Sequence, residues 1–175
     1  MTNTFYVPDT LQYSDFDCGA ACVQGIMAYY GQDLNEIKLL KKLKTKKSDA
    51  TSSDHIIKFF TKKGYKVEAR SMDIEDLISF IKKKIPVIVL VQAWKNSDVM
   101  YRRTIASGHY LIVIGYDDDN LYFEDPAMFG KGYIPRKEFL KRWHAEDRKN
   151  EILTRYGIAV WGKKPFNYDK FIRIK

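Results

Sequence analysis

The residues of this chain that could do chemistry are a cysteine at the start of a predicted helix and a few polar residues far from it in sequence. Cys18 begins a helical pattern that runs to Tyr30. The unpaired N–H groups and the dipole at a helix N-terminus stabilise an anion, so this position favours a thiolate. A thiolate nucleophile works with an imidazole, which a carboxylate or an amide orients. The rest of the chain must therefore supply a histidine within reach of Cys18.

Three histidines compete for that role. His55 lies near the start of a predicted helix, and His144 lies in a basic, polar segment that we also predict to be helical. His109 instead begins an apolar strand directly after a predicted loop, which is the usual place for a functional side chain on a rigid scaffold. We therefore predict that His109 is the general base.

The partner of His109 depends on the parity of a predicted hairpin. Asp125 ends the strand that follows the one containing His109. With a three-residue turn at 117–119, Asp125 faces Leu111 and lies on the same face of the sheet as His109. With a two-residue turn at 118–119 and a regular ladder the two side chains lie on opposite faces, because a slip of one residue flips every side chain. A triad therefore requires an odd-length turn or a β-bulge.

Each of these residues also has an ordinary structural interpretation. A lone helical cysteine is more often a small core residue, and we assign that packing role to Cys22, one turn inside the helix. A strand histidine is usually structural, and Asp125, which precedes a proline, could be a turn residue. Gln12 could be a loop amide; its functional interpretation is a donor to an oxyanion, together with the Cys18 backbone N–H. The combination, rather than any one residue, favours catalysis.

The bulk composition is that of a globular protein. The chain has 175 residues, of which 45% are hydrophobic and 30% charged, enough for a sizeable core. With no internal repeat or long linker, we predict one domain over residues 1–175. The two cysteines lie four apart on one predicted helix, a poor disulfide geometry, so we expect free thiols. The apolar runs are too short for a transmembrane segment and the N-terminus lacks a signal-peptide pattern, so we expect a cytoplasmic protein.

The order of the patterns predicts an α+β fold. Helical patterns lie at about residues 18–30, 34–43, 53–63, 73–84 and 137–145. Strand patterns lie at about residues 65–71, 86–91, 109–116, 121–125, 133–134 and 156–160, with a polar loop at 94–107. A helical N-terminal part followed by antiparallel strands indicates α+β rather than alternating α/β. In the second helix we predict that Ile37, Leu40 and Leu43 face the core.

The net charge of +8 comes mostly from lysine. One cluster consists of Lys38, Lys41, Lys42, Lys44, Lys46 and Lys47. A basic surface attracts nucleic acid or anionic peptides, but a charge run is most often a solvated helix face. No recognised nucleic-acid motif accompanies it, so we expect no nucleic-acid partner. The oligomeric state and the role of this surface stay open.

Three short motifs, in order, resemble those of the bacteriocin-processing peptidases. They are Gln12 with Asp17-Cys18-Gly19, Gly108-His109-Tyr110 with Gly115-Tyr116-Asp117, and Asp125-Pro126. These are papain-like cysteine peptidases, usually the N-terminal domain of bacterial peptide exporters, that remove a leader peptide after a double-glycine site. The resemblance spans about residues 5–145. It implies a papain-like fold with Cys18 as nucleophile, His109 as general base, Asp125 as its orienter and Gln12 as the oxyanion-hole amide, without a metal or cofactor.

The chain departs from the exporter pattern in two respects, and both concern the substrate. The membrane and ATPase domains are absent, so we expect a stand-alone form acting on a peptide or protein. The loop between Trp94 and Gly108 has no counterpart that we can match. The same residues would also support acyl transfer or hydrolysis of another amide, and a non-catalytic peptide-binding module is a further alternative. The chain contains no Gly-Gly, which excludes self-processing at such a site.

Overall fold

The computed structural model describes residues 2–48, 50–93, 108–147, 151–169 and 173. The polar loop predicted at 94–107 lies outside the described residues.

Within the described part of the chain, nine strands form two antiparallel sheets. They are β1 (Asn3–Thr4), β2 (Lys66–Ser71), β3 (Val87–Gln92), β4 (Gly108–Tyr116), β5 (Asn120–Glu124), β6 (Lys131–Pro135), β7 (His144–Glu146), β8 (Ile152–Thr154) and β9 (Tyr156–Trp161). Six strands of the main sheet follow the spatial order β2-β9-β3-β4-β5-β6, and β1 pairs with the end of β4. β7 and β8 pair only with each other. The central strands β3 and β4 are buried almost throughout, which explains their continuous apolar sequence.

The described residues also contain five helices. They are α1 (Cys18–Tyr29), α2 (Glu36–Leu43), α3 (Ser53–Lys62), α4 (Ile74–Lys82) and α5 (Arg136–Arg142). The predicted α+β class is therefore confirmed. The helix predicted at 137–145 is too long, because it ends at Arg142 and His144 belongs to β7. None of the helices in the described ranges has the length and hydropathy needed to cross a membrane.

α1 is the buried helix of the molecule. Most of its residues are buried on every side, as expected for a helix without a polar face. It packs on β4, where a Cβ atom added to Gly25 would lie 3.2 Å from the Ile112 side chain. The sheet and α1 together fix the position of Cys18 at the helix N-terminus.

α2 presents a different face to the core from the one predicted. Asn35 caps the helix, and its side chain accepts a hydrogen bond from the Lys38 N–H at 3.1 Å. Leu39 and Leu43 are fully buried, whereas Ile37 is 65% exposed. Ile37 and Leu39 are two residues apart, about 200° around a helix, so they point in nearly opposite directions. The prediction was right for Leu43, right for Leu40, which is partly buried against the core, and wrong for Ile37.

The turn between β4 and β5 contains two residues, which is the shorter of the two turn lengths that the sequence left open. The Asp117 N–H donates to the Asn120 carbonyl at 3.1 Å, and Tyr116 pairs with Leu121. The turn residues are therefore 118–119. In a regular ladder this turn would put His109 and the end of β5 on opposite faces.

A bulge in β4 corrects this parity. Gly115 pairs with Tyr122, whereas Val113 pairs with Phe123, so Ile114 is an extra residue on the β4 side. A bulge places two residues of one strand opposite one residue of its partner. In the part of β4 before the bulge, which contains His109, each side chain therefore lies on the opposite face, relative to β5, from the one it would have in a regular ladder. The sequence predicted that a triad requires an odd-length turn or a β-bulge, and the structure has the β-bulge.

Gly115 lies at a close approach of β1 and β4, which predicts the effect of a substitution. A Cβ atom there would meet the Thr4 side chain and lie 2.8 Å from the Asn3 carbonyl oxygen. We expect Gly115→Ala to lower the free energy of unfolding by about 1–3 kcal/mol, the usual cost of overpacking. Urea-induced unfolding followed by circular dichroism measures this change.

Gly132→Ala, in β6, is the matched control. A Cβ atom there would meet only the sulfur of Met128, at 3.2 Å, on a partly exposed side chain that can move. We expect this variant to lose less than about 1 kcal/mol. Equal losses in the two variants would contradict the tight packing of β1 on β4.

Candidate active site

Cys18 is the first residue of α1, and its side chain is buried. Asp17 occupies the N-cap position, but its side chain makes no capping hydrogen bond to the helix. Its carboxylate instead accepts from the Ser14 N–H at 3.1 Å and so holds the preceding loop. The N–H groups of the first turn, which have no acceptor within the helix, are thus free of this carboxylate and can stabilise an anion at Cys18.

His109 and Asp125 are brought together by the hairpin and its bulge. His109 is the second residue of β4, and Asp125 directly follows β5. The Nε2 atom of His109 lies 2.7 Å from Oδ1 of Asp125. The imidazole is 3% exposed and the carboxylate 21% exposed. The predicted proximity of these two side chains is therefore observed.

The His109 imidazole also interacts with Cys18. Burial lowers the pKa of His109, but the hydrogen bonds and charges of Asp125 and Cys18 outweigh it and raise the pKa to about 9. Because Nε2 is engaged with Asp125, Nδ1 is the ring nitrogen that is left for Cys18. At neutral pH the imidazole is protonated and lies between two groups that carry or can carry negative charge.

Asp125 is held ionised by its surroundings. Burial raises the pKa of Asp125, but the hydrogen bond and charge of His109 oppose it and lower the pKa below its usual value. The Ala127 N–H, which donates to Oδ1 at 2.8 Å, and the charge of Arg142 act in the same direction. The carboxylate can therefore fix the orientation of the imidazole and balance its charge.

Gln12 lies in the loop before α1, and this loop connects Cys18 with the region around Asp125. Its backbone N–H donates to the Pro126 carbonyl at 2.8 Å, next to Asp125. Its side-chain Nε2 donates to the Ser14 carbonyl at 3.0 Å. Its Oε1 is buried and accepts no hydrogen bond from the residues that the structure describes. An amide carries two N–H bonds, so one remains for another acceptor.

The segment before Gln12 is anchored by a buried carboxylate that the sequence did not single out. Glu124 accepts from the Thr10 N–H at 3.0 Å and binds the Lys131 ammonium. Lys131 also pairs with Asp9 at 2.7 Å. A charged residue at the end of an otherwise apolar strand was the available signal, because a buried carboxylate needs partners.

Arg142 is a second residue to which sequence reasoning assigned no role. It ends α5 and, with His109 and Asp125, lines a cavity of about 170 Å³. Its Nε donates to the Gln92 carbonyl and its Nη1 to Glu138, each at 2.9 Å. No spacing in the sequence could have linked it to Asp125, because the two lie on different elements.

Two neighbours of Cys18 serve packing. Cys22 is fully buried, and burial, followed by the charge of Cys18, raises the pKa of its thiol well above the usual value. It is therefore a neutral core residue, as predicted. Gly19 has no space beside it for a side chain, because a Cβ atom there would lie 2.9 Å from Cβ of Thr51 and 3.0 Å from the Tyr110 ring. Its missing side chain makes room for the protein itself.

The other two histidines lie elsewhere. His55 is in the first turn of α3 and lines a cleft formed with the end of α2. The backbone carbonyl of His144, in β7, accepts from the Gln92 side chain at 3.2 Å. The structure therefore brings together Cys18, His109 and Asp125, with Gln12 in the adjoining loop.

The sequence matches that of a known peptidase family. The match is to the peptidase C39 family and covers residues 7–146. The lactococcin-G-processing and transport ATP-binding protein LagD of Lactococcus lactis subsp. lactis is 31% identical over 134 residues, which are 75% of this chain and 17% of that protein. The chain thus corresponds to a small part of this much longer relative.

Solved structures show the same fold. The peptidase domain of Streptococcus ComA, a bi-functional ABC transporter involved in quorum sensing, gives a TM-score of 0.69 at 21% identity, over 90% of this chain and 100% of that chain. A double glycine motif protease from an AMS/PCAT transporter, solved with its leader peptide, gives 0.67 at 18% identity, over 94% and 95%. These likenesses confirm the papain-like fold.

The three motifs, the family match over most of the chain and the shared fold agree. The resemblance seen in the sequence is thereby confirmed, and the chain belongs to the peptidase C39 family of cysteine peptidases.

Proposed function

We propose that this peptidase cleaves a peptide bond with Cys18 as nucleophile, His109 as acid and base, and Asp125 as the group that orients His109. The observation that carries the proposal is the position of the His109 ring, which bonds Asp125 at 2.7 Å through one nitrogen and interacts with Cys18. A nucleophile, a base and an orienting carboxylate in this order are the minimum for covalent catalysis by a thiol.

In the first half-reaction the Cys18 sulfur bonds to the carbonyl carbon of the scissile bond, and the carbonyl electron pair moves to its oxygen. The Cys18 N–H and the second N–H of the Gln12 amide stabilise this oxyanion. As the intermediate collapses, His109 gives its proton to the leaving nitrogen, and the C–N bond breaks. A thioester on Cys18 and a free amine result.

In the second half-reaction water replaces the amine. His109, now neutral, takes a proton from the water as the oxygen attacks the thioester carbon. The same donors hold the second oxyanion. Cleavage of the C–S bond releases a carboxylic acid and regenerates the pair of Cys18 thiolate and His109 imidazolium, with Asp125 still ionised.

We further propose that the substrate is a leader peptide cut after Gly-Gly. The support comes from the relatives, since one is named for processing lactococcin G and another, a double glycine motif protease, was solved with its leader peptide. We place the reaction in the cytoplasm, because the proposed mechanism needs a reduced thiol and that compartment keeps thiols reduced.

Replacing either reacting side chain tests the assignment. We expect Cys18→Ala and His109→Ala each to lower kcat/KM by roughly 10³-fold or more. In residues that act as one catalytic unit, the loss of one side chain costs nearly as much activity as the loss of all of them. Cleavage of a synthetic peptide with a central Gly-Gly, followed by mass spectrometry, measures the rate. The mass also shows whether the product ends in a free carboxyl group, as hydrolysis requires, or carries an added amine, as acyl transfer would give.

Cys22→Ala is the matched control for Cys18→Ala. It removes the neighbouring thiol from the same helix but leaves the proposed nucleophile, so its kcat/KM should stay within about threefold of the original. Activity that survives in both Cys18→Ala and His109→Ala would reject the proposed roles.

The pH profile tests the link between His109 and Asp125. Because the pKa of His109 is about 9, the imidazolium that protonates the leaving amine is lost as the pH rises through that value, and kcat/KM should fall there. Asp125→Asn removes a charge that raises this pKa and leaves the burial that lowers it. We expect the alkaline limb of kcat/KM to move to lower pH and kcat to drop.

Asp118→Asn makes the same change of charge on the exposed turn of the same hairpin. Its alkaline limb should coincide with that of the unmodified protein. A limb that stays in place in Asp125→Asn, or moves equally in both variants, would show that Asp125 does not set the titration of His109.

Gln12 is tested by separating its effects on kcat and KM. An oxyanion donor acts in the transition state, so Gln12→Ala should lower kcat by roughly 10²-fold with little change in KM. Its control is a melting temperature, because the Ser14 carbonyl also loses a donor. A variant that melts normally and keeps its kcat would remove Gln12 from the mechanism.

A further inference from the structure

A basic cleft lies between α2 and α3. Its volume is about 490 Å³, and five lysines line it. They are Lys42, Lys44, Lys58, Lys62 and Lys63. Among the residues that the structure describes, no carboxylate lines it. The lysine cluster noted in the sequence is thus in part a concave surface rather than a flat solvated helix face.

The charge of this basic cleft is not balanced within the described chain. None of its five lysines forms an ion pair with a described residue. Asp54, the acidic residue of α3, is not among the residues that line the cleft. A partner with negative charge would therefore gain attraction without displacing an existing ion pair.

The surroundings of the cleft are apolar as well as basic. Phe59 lines the cleft, and the Lys63 ammonium lies 5.7 Å from the centre of its ring. A neighbouring cleft of about 480 Å³ shares Lys44 and is lined by Leu40 and by Ile37, which is 65% exposed. A ligand that covers both clefts needs negative charges and apolar side chains, which a peptide supplies.

The basic cleft is connected to the candidate active site by the contacts of the segment that joins α2 to α3. Thr51 in this segment packs on Gly19, the neighbour of Cys18, and its hydroxyl hydrogen-bonds Thr45 at 2.7 Å. Lys44, which lines the cleft, directly precedes Thr45. α3 has ten residues and is therefore about 15 Å long. A peptide of about five residues in extended conformation has the same length and could lie along the helix.

We propose that the basic cleft is an exosite that binds an acidic segment of the peptide substrate while the scissile bond lies at Cys18. This rests on the proposed function and adds a substrate class to it: peptides with a glutamate- or aspartate-rich segment within about ten residues of the cleavage site. A recessed surface suits a chain better than a flat membrane. Lys63 covers the Phe59 ring, which disfavours the stacking that single-stranded nucleic acid uses.

Matched synthetic peptides test the exosite. Two have a central Gly-Gly and carry either four glutamates or four glutamines at one end, and a second pair carries them at the other end. The glutamate peptide of one pair should be cut with a kcat/KM roughly three- to tenfold above its glutamine partner, mainly through KM, as two or three exposed ion pairs would give. Raising NaCl from about 0.05 to about 0.5 M should remove most of this ratio.

Charge reversal locates the effect. Lys58→Glu combined with Lys62→Glu should bring the glutamate-to-glutamine ratio of kcat/KM close to one. Lys82→Glu combined with Lys83→Glu makes the same change in net charge at the end of α4, outside the lining residues, and should keep the original ratio. Melting temperatures confirm that each variant is folded.

The outcomes separate this proposal from the one on which it rests. If no peptide is cut, the proposed function fails. If the glutamine peptides are cut and the ratio in the original protein is one, or the two charge-reversed variants behave alike, only the exosite is overturned. Two further results would also overturn it, if they depend on Lys58 and Lys62 and the peptides show no charge effect. They are sedimentation of the protein with phosphatidylserine vesicles and binding of a single-stranded oligonucleotide.

Discussion

The hydrogen bond between His109 and Asp125 is the interaction on which the rest of the site depends. It joins two adjacent strands and places a charged imidazole in a position that is almost fully buried. A buried charge is tolerated only when it is paired, since desolvation of a lone ion costs several kcal/mol. Asp125 supplies the pairing charge, and Ala127 and Arg142 keep that carboxylate ionised. Cys18, the proposed nucleophile at the start of α1, therefore lies next to an imidazole whose orientation Asp125 already fixes.

The N-terminal segment is the second structural requirement. It has little regular structure, yet hydrogen bonds at Thr10 and Gln12 attach it to residues directly on either side of Asp125. The buried pair of Glu124 and Lys131 strengthens this attachment. The loop with Gln12 and the carboxylate that orients His109 therefore form one unit. A change that loosens the segment would disturb the proposed oxyanion donor Gln12 and the proposed base His109 together.

Much of this arrangement could be predicted from the sequence, because the signals were local. The helix start at Cys18 and the apolar strands β3 and β4 follow from local sequence patterns. The bulge at Ile114 could not be located, because one extra residue in a continuous apolar run changes no pattern. The exposure of Ile37 was missed for a similar reason, since two faces of α2 carry leucine. These positions are decided by tertiary packing.

The bulge also limits how this hairpin can change in evolution. The turn at 118–119 is exposed, and such turns usually accept insertions of any length. Here an insertion of one residue that shifts the pairing would turn Asp125 away from His109, unless the ladder loses or gains a bulge at the same time. An insertion of two residues would return Asp125 to the same face of the sheet as His109. Insertions or deletions in this hairpin that keep the site intact should therefore involve an even number of residues. A change of one residue should occur only together with the loss or gain of a bulge.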